Sequence, residues 1–170
     1  MEYTHKPFKN KVLCFLVFGT TYITIEVIAR ALCNSLVGYN GISALSLCGY
    51  TSIWMFPISG LCGVIISILN EHSQYNRLKI WQQTVIGGSL ITVIELLSGL
   101  FFNTFMKLNL WDYSHEKFNF MGQICLQNCI LWFLLSVVVV WLDDILSYYL
   151  YEDKKPNGLL IYYKRLIKLQ

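Results

Sequence analysis

The feature that most constrains this chain is the gathering of its apolar residues into four runs, 12–33, 46–69, 80–106 and 122–150, with most of the charge confined to the short stretches between and beyond them. A hydrocarbon core takes about 20 residues of helix to cross, and every run reaches that length. A water-soluble core would have no need of such runs. The expected fold is therefore all-α: a polytopic membrane protein of four transmembrane helices, one integral membrane domain over 1–170 that closes with a basic tail at 151–170. Composition points the same way, with 55% hydrophobic and 14% charged residues and a mean hydropathy of +0.50.

The first run follows a basic N-terminus, as a signal peptide would. It exceeds the length of a signal core, however, and carries Glu26 and Arg30, so a retained first helix is expected. Lysine and arginine mark the orientation. Lys6, Lys9 and Lys11 precede the first run, Arg77 and Lys79 follow the second, and Lys154, Lys155, Lys164, Arg165 and Lys168 fill the tail, whereas Lys107 and Lys117 alone lie on the opposite side. Short connectors rich in these residues stay in the cytoplasm. Both termini are therefore expected to be cytoplasmic, in the cell membrane, and the amphipathic tail is expected to lie along an anionic inner leaflet.

The third connector, LWDYSHEKFNFMGQICL at 110–126, then faces outward. Trp111 and Tyr113 carry the rings that settle at a membrane–water boundary, while Asp112, Ser114, His115, Glu116 and Asn119 supply polar groups that hydrocarbon does not solvate. Ionisable side chains inside the runs cost about 2.5 to 3.5 kcal/mol each at a helix centre, so each that persists needs a reason. Glu26 and Arg30 stand at i, i+4 on the first helix, and Glu95 falls in a stripe of small and polar residues with Gly88, Thr92, Gly99 and Asn103. Two arrangements are open at this point. The charged residues converge beneath the connector as a polar pocket open to the outside, or Arg30 neutralises Glu26 and Glu95 as a structural lock between helices.

Other features read as packing. Ser59, Gly63 and Ser67 recur every fourth residue, the small-residue pattern that lets helices approach, and Pro57 is expected to kink the second helix. Asp143 and Asp144 read as a solvated helix end. No catalytic, metal-binding or cofactor-binding motif is present, so any ATPase activity is expected on a separate subunit. The six cysteines are buried packing residues on this reading, and the basic residues lie where topology needs them, which leaves no nucleic-acid surface.

The run GYTSIWMFPISGL, then Glu95 with Gly99, then WDYSHEKFNFMGQICL and LDDILSYYL, together resemble the CmpB-like, ABC-transporter type IV permease family of small bacterial integral membrane proteins. The resemblance covers about 48–156, and its motif residues here are Glu95, Trp111, Asp112, Tyr113, Ser114, Phe118, Asn119, Gly122, Cys125 and Leu126. It implies transport. The expectation is a permease or permease subunit for an unknown solute, in a homo- or hetero-oligomer with an ATP-binding-cassette ATPase and in contact with the lipid bilayer. Its candidate substrate site comprises Glu26, Arg30, Glu95, Trp111, Asp112, Tyr113, Ser114 and Asn119. The alternative is a non-transport scaffold, sensor or accessory subunit whose connector binds a protein partner or a lipid headgroup.

Overall fold

A computed structural model of the chain describes residues 8–37 and 46–170; the basic stretch before Phe8 and the turn expected at Gly38 to Gly41 lie outside the described residues. Its elements are almost all helical: α1 (Phe8–Val37), α2 (Met55–Asn70), a single turn α3 (Ser73–Asn76), α4 (Ile80–Gly99), α5 (Leu126–Tyr151) and α6 (Leu159–Ile167). A small hairpin of β1 (Asn119–Phe120) and β2 (Ile124–Cys125) precedes α5, with Asn119 opposite Cys125 and Phe120 opposite Ile124. Among the described residues, three helices are long and apolar enough to cross a membrane, over Asn10–Asn34, Ile80–Phe105 and Leu126–Tyr151.

The second apolar run departs from its expected course. It becomes helical only at Met55, giving 16 residues, or about 24 Å at 1.5 Å per residue, against a hydrocarbon core of about 30 Å. Pro57 explains the late start. A helix begun upstream would place its ring against the carbonyl of Ile53 and remove a bond from the ladder, whereas in the first turn the missing N–H has no intrahelical partner to lose. The proline therefore begins the helix, and the expected mid-helix kink does not arise. Residues 46–54 run instead along α1, where Asn34 Nδ2 donates to the Cys48 carbonyl at 3.0 Å and Gly49 sits so close to the Val27 carbonyl that no Cβ would fit.

Rings set into glycine notches hold α1 to α2. Phe15 covers Gly60, Phe18 covers Gly63 and Phe56 covers Gly19, with Phe15 and Phe56 edge to face at 5.5 Å. Of the expected small-residue stripe, Gly63 and Ser67 meet α1, while the Ser59 hydroxyl turns back to the Met55 carbonyl at 2.6 Å. The second helix pair, α4 with α5, meets at Gly88 of the expected stripe and at its neighbour Gly87. Gly87 faces Ser136, Gly88 faces Phe133, and the Ser136 hydroxyl donates to the Thr84 carbonyl at 3.0 Å.

The end of the bundle near Asn70 and Ile80 is closed by polar contacts. Asn70 Nδ2 donates to Asp143 Oδ2 at 2.6 Å and to Asp144 Oδ1 at 3.1 Å, and Tyr162 Oη donates to Asp144 Oδ2 at 2.6 Å. Asp143 is 0% exposed, which corrects the expectation of a solvated helix end: Asn70 on α2 reaches it, and α6 folds back so that Tyr162 meets the adjoining Asp144. The tail is thus partly built into the fold. Tyr162 joins Ile66, Val137 and Val140 in the buried core, and Tyr163 Oη reaches the Leu134 carbonyl at 3.0 Å.

Candidate functional site

At the opposite end, α4 widens into a π-helical turn, Leu100–Phe105, before the chain crosses to α5. That widening aims Asn103 at the connector. Its Nδ2 donates to the Trp111 carbonyl at 3.0 Å and to Gln123 Oε1 at 2.9 Å, and its Oδ1 accepts the Leu110 N–H at 2.7 Å. A buried amide that meets three partners fixes where the connector begins.

Most of the motif builds the connector itself. Asp112 Oδ1 accepts the Ser114 N–H at 2.8 Å and its Oδ2 accepts the Ser114 hydroxyl at 3.0 Å, so its carboxyl is held below the usual carboxylate range chiefly by that backbone N–H. Asn119 Nδ2 donates to the carbonyls of Ser114 (3.2 Å) and Glu116 (2.8 Å), and its Oδ1 accepts the Gly122 N–H at 3.1 Å. Gly122 has φ +69° and lies where a Cβ would press on Asp112 Oδ1 at 3.0 Å, so glycine is favoured on both counts. Trp111 Nε1 donates to the Gln123 carbonyl at 3.0 Å. Polar side chains that sequence marks as ligand-facing are in large part engaged within the loop.

Tyr113 is the exception, because its side chain leaves the loop and enters the bundle. Its Oη donates to Glu95 Oε1 at 3.1 Å, while the indole N–H of Trp132 on α5 donates to Oε2 of the same carboxyl. Burial, then the neighbouring Glu95 carboxylate, pushes the Tyr113 phenol well above its usual value, so it stays a donor. Glu95 is 7% exposed, and both of its oxygens accept from neutral groups. Beside it lies a space of about 90 Å³, room for a few water molecules, whose walls include Tyr22, Cys62, Trp111 and Trp132.

Glu26 and Arg30 form a separate group. Arg30 donates from Nε (3.1 Å) and Nη2 (2.8 Å) to Glu26 Oε1, stacks over the Tyr50 ring at 5.1 Å, and leaves Glu26 Oε2 to the Thr51 hydroxyl. Among the described residues Arg30 makes no ion pair with Glu95. The pair therefore fixes the extended 46–54 segment to α1, and Tyr22, whose ring lies 5.9 Å from that of Trp132, stands between it and the Glu95 chamber.

Sequence reasoning missed Trp132, Gln123 and Thr51. Trp132 had a usable signal: a buried indole N–H needs an acceptor, and Glu95 is the acid on the neighbouring span. No solved structure is similar to this chain. The family described as Putative ABC-transporter type IV matches residues 13–162, a stretch that takes in nearly all of the three long apolar helices together with Glu95 and the 110–126 connector, and the chain belongs to that family.

Proposed function

We propose that the chain is a permease subunit in the cytoplasmic membrane, acting in a homo- or hetero-oligomer with a separate ATP-binding-cassette ATPase, and that the Glu95 chamber is where it meets its solute. In this reading α1, the 46–70 segment, α4 and α5 are four passes with both termini in the cytoplasm, and the connector with its hairpin is an external lid. The chain catalyses nothing itself; ATP hydrolysis belongs to the partner.

One observation carries this reading. Among the described residues, Glu95 is an acid within an apolar span, beside a partly open space with apolar walls, and it is held by two neutral donors and no cation. A cation or a donor-rich solute can take over those bonds when Tyr113 withdraws with the lid. Glu26 and Arg30 hold the adjoining segment in place, and Trp111, Asp112, Ser114 and Asn119 keep the lid in shape.

The test is purification of the tagged protein in a gentle detergent, followed by native mass spectrometry. An ATP-binding-cassette subunit in fixed stoichiometry is expected, and elution as a homo-oligomer alone would remove the transporter reading. Labelling of Glu116→Cys from outside intact cells, with Lys154→Cys reached only after permeabilisation, checks the orientation.

A second reading, a scaffold or accessory subunit, is favoured by the hairpin tip. Phe118 (80% exposed), Phe120 and Met121 stand out from the lid as an apolar surface suited to a protein partner or a bilayer. There Phe118→Ser with Phe120→Ser should abolish complex assembly without any dependence on a solute.

A further inference from the structure

At the end of the bundle closed by Asn70 and Tyr162 lies an open cleft of about 770 Å³, within the range of small-ligand sites. Three stretches distant in sequence bring cations to its wall: Lys79 before α4, Lys154 and Lys155 between α5 and α6, and Arg165 on α6. Three acids share the wall: Asp144 accepts from Asn70 and Tyr162, Glu71 lies 3.9 Å from the Lys11 amine, and Asp153 completes the set, so the four positive groups outnumber the acids. None of the four cations forms an ion pair among the described residues. Cations gathered in this way suit a phosphate oxyanion, which a guanidinium grips in two places and ammonium groups neutralise as point charges.

The setting narrows the ligand. On the flank of α6 away from Tyr162, Leu160 is 76% and Ile167 80% exposed, so the helix that brings Arg165 to the cleft also carries an exposed apolar surface. We propose that this cleft is a phosphate site, and that it holds the phosphate of a lipid headgroup or of a soluble phosphate ester at the cytoplasmic face. Such a site would make the fold of the tail dependent on what occupies the cleft, because Arg165 and Tyr162 both line it from the same helix and Tyr162 also joins the buried core.

The probe is the full-length protein in detergent with equal amounts of phosphatidylglycerol and phosphatidylcholine, read by native mass spectrometry as lipid adducts. Preferential retention of phosphatidylglycerol is expected. Each basic residue near such a surface is worth roughly fivefold in binding, so Lys154→Gln, Lys155→Gln and Arg165→Gln together should cut retention on the order of a hundredfold. Arg165→Lys should restore part of what Arg165→Gln alone removes. If the triple variant does not fold, Lys154→Gln with Lys155→Gln, confined to the connecting loop, gives the same reading at roughly twenty-five-fold. Glycerol phosphate that displaces the lipid at millimolar concentration identifies a soluble ester as the ligand, and failure to displace it identifies the lipid; either result supports a phosphate site. Equal retention of both lipids, or phosphatidylglycerol retention that the substitutions leave unchanged, overturns it.

Discussion

Tyr113→Phe isolates the bond that ties the lid to the bundle. The substitution keeps the ring and its packing and deletes one hydroxyl, the donor to Glu95 Oε1 at 3.1 Å. A hydrogen bond to a charged group contributes about 1.5 to 3 kcal/mol, and at about 1.4 kcal/mol per factor of ten the opening constant of the lid should rise roughly 10- to 150-fold. Backbone exchange reads this directly, because the Tyr113 N–H donates to the Gly122 carbonyl at 2.8 Å and the Gln123 N–H to the Phe120 carbonyl at 3.0 Å, both inside the lid. Hydrogen–deuterium exchange of the protein in nanodiscs should show the peptides covering 111–123 losing protection by that factor, while those of α1 and α2 keep theirs. Asn103→Leu makes the comparison, since it releases the lid at the π-helical turn and leaves the Glu95 bond alone. Lid exchange that rises in Asn103→Leu but stays at the wild-type rate in Tyr113→Phe would refute the reasoning, for the hydroxyl would then contribute nothing to closure and Glu95 would not be the anchor.

Three further perturbations probe the rest of the fold. Asn70→Ala withdraws the amide from buried Asp143 and should cost about 1.5 to 3 kcal/mol, seen as a lower midpoint of thermal aggregation in detergent; an unchanged midpoint would mean the contact does not hold the bundle end together. Gly63→Val drives a branched side chain into the Phe18 ring, so separation of α1 from α2 by about 1 to 3 kcal/mol is expected, and faster labelling of buried Cys14 by a maleimide is the readout that checks it. Asp112 gives a pH dependence of known sign. Its carboxyl is depressed in the folded lid, so its contribution is complete above the ordinary aspartate value of about 3.9 and is lost as pH falls through the lower folded value. The fluorescence difference between wild type and Trp111→Phe should follow that loss, and Asp112→Ala should abolish the transition; a transition that persists in the variant assigns it to another group.

What sequence made legible was what depends on neighbours along the chain. The apolar runs of α1, α4 and α5 are local averages of hydropathy, and the Glu26–Arg30 contact is a helix spacing, so both could be read before any fold was known. The loop polarity was legible in kind but not in use. Asp112 and Ser114 stand at the spacing at which an aspartate accepts the backbone N–H two residues on, and that local bond takes up acceptor capacity otherwise assigned to a ligand. Asp143 was misplaced because its burial depends on Asn70, 73 residues away, arriving beside it. Glu95 differs from all of these: its partners stand 18 and 37 residues along the chain, and a Trp in an apolar run leaves no trace in periodicity. Asp112, Ser114 and Asn119 are engaged within the connector, so on the proposed reading a solute meets a carboxylate whose partners come from other elements. Exchanging Glu95 for Gln keeps an acceptor for Trp132 and a group that Tyr113 can meet, so the bundle should stay folded while the charge is gone, and any loss of binding then belongs to the charge rather than to the fold.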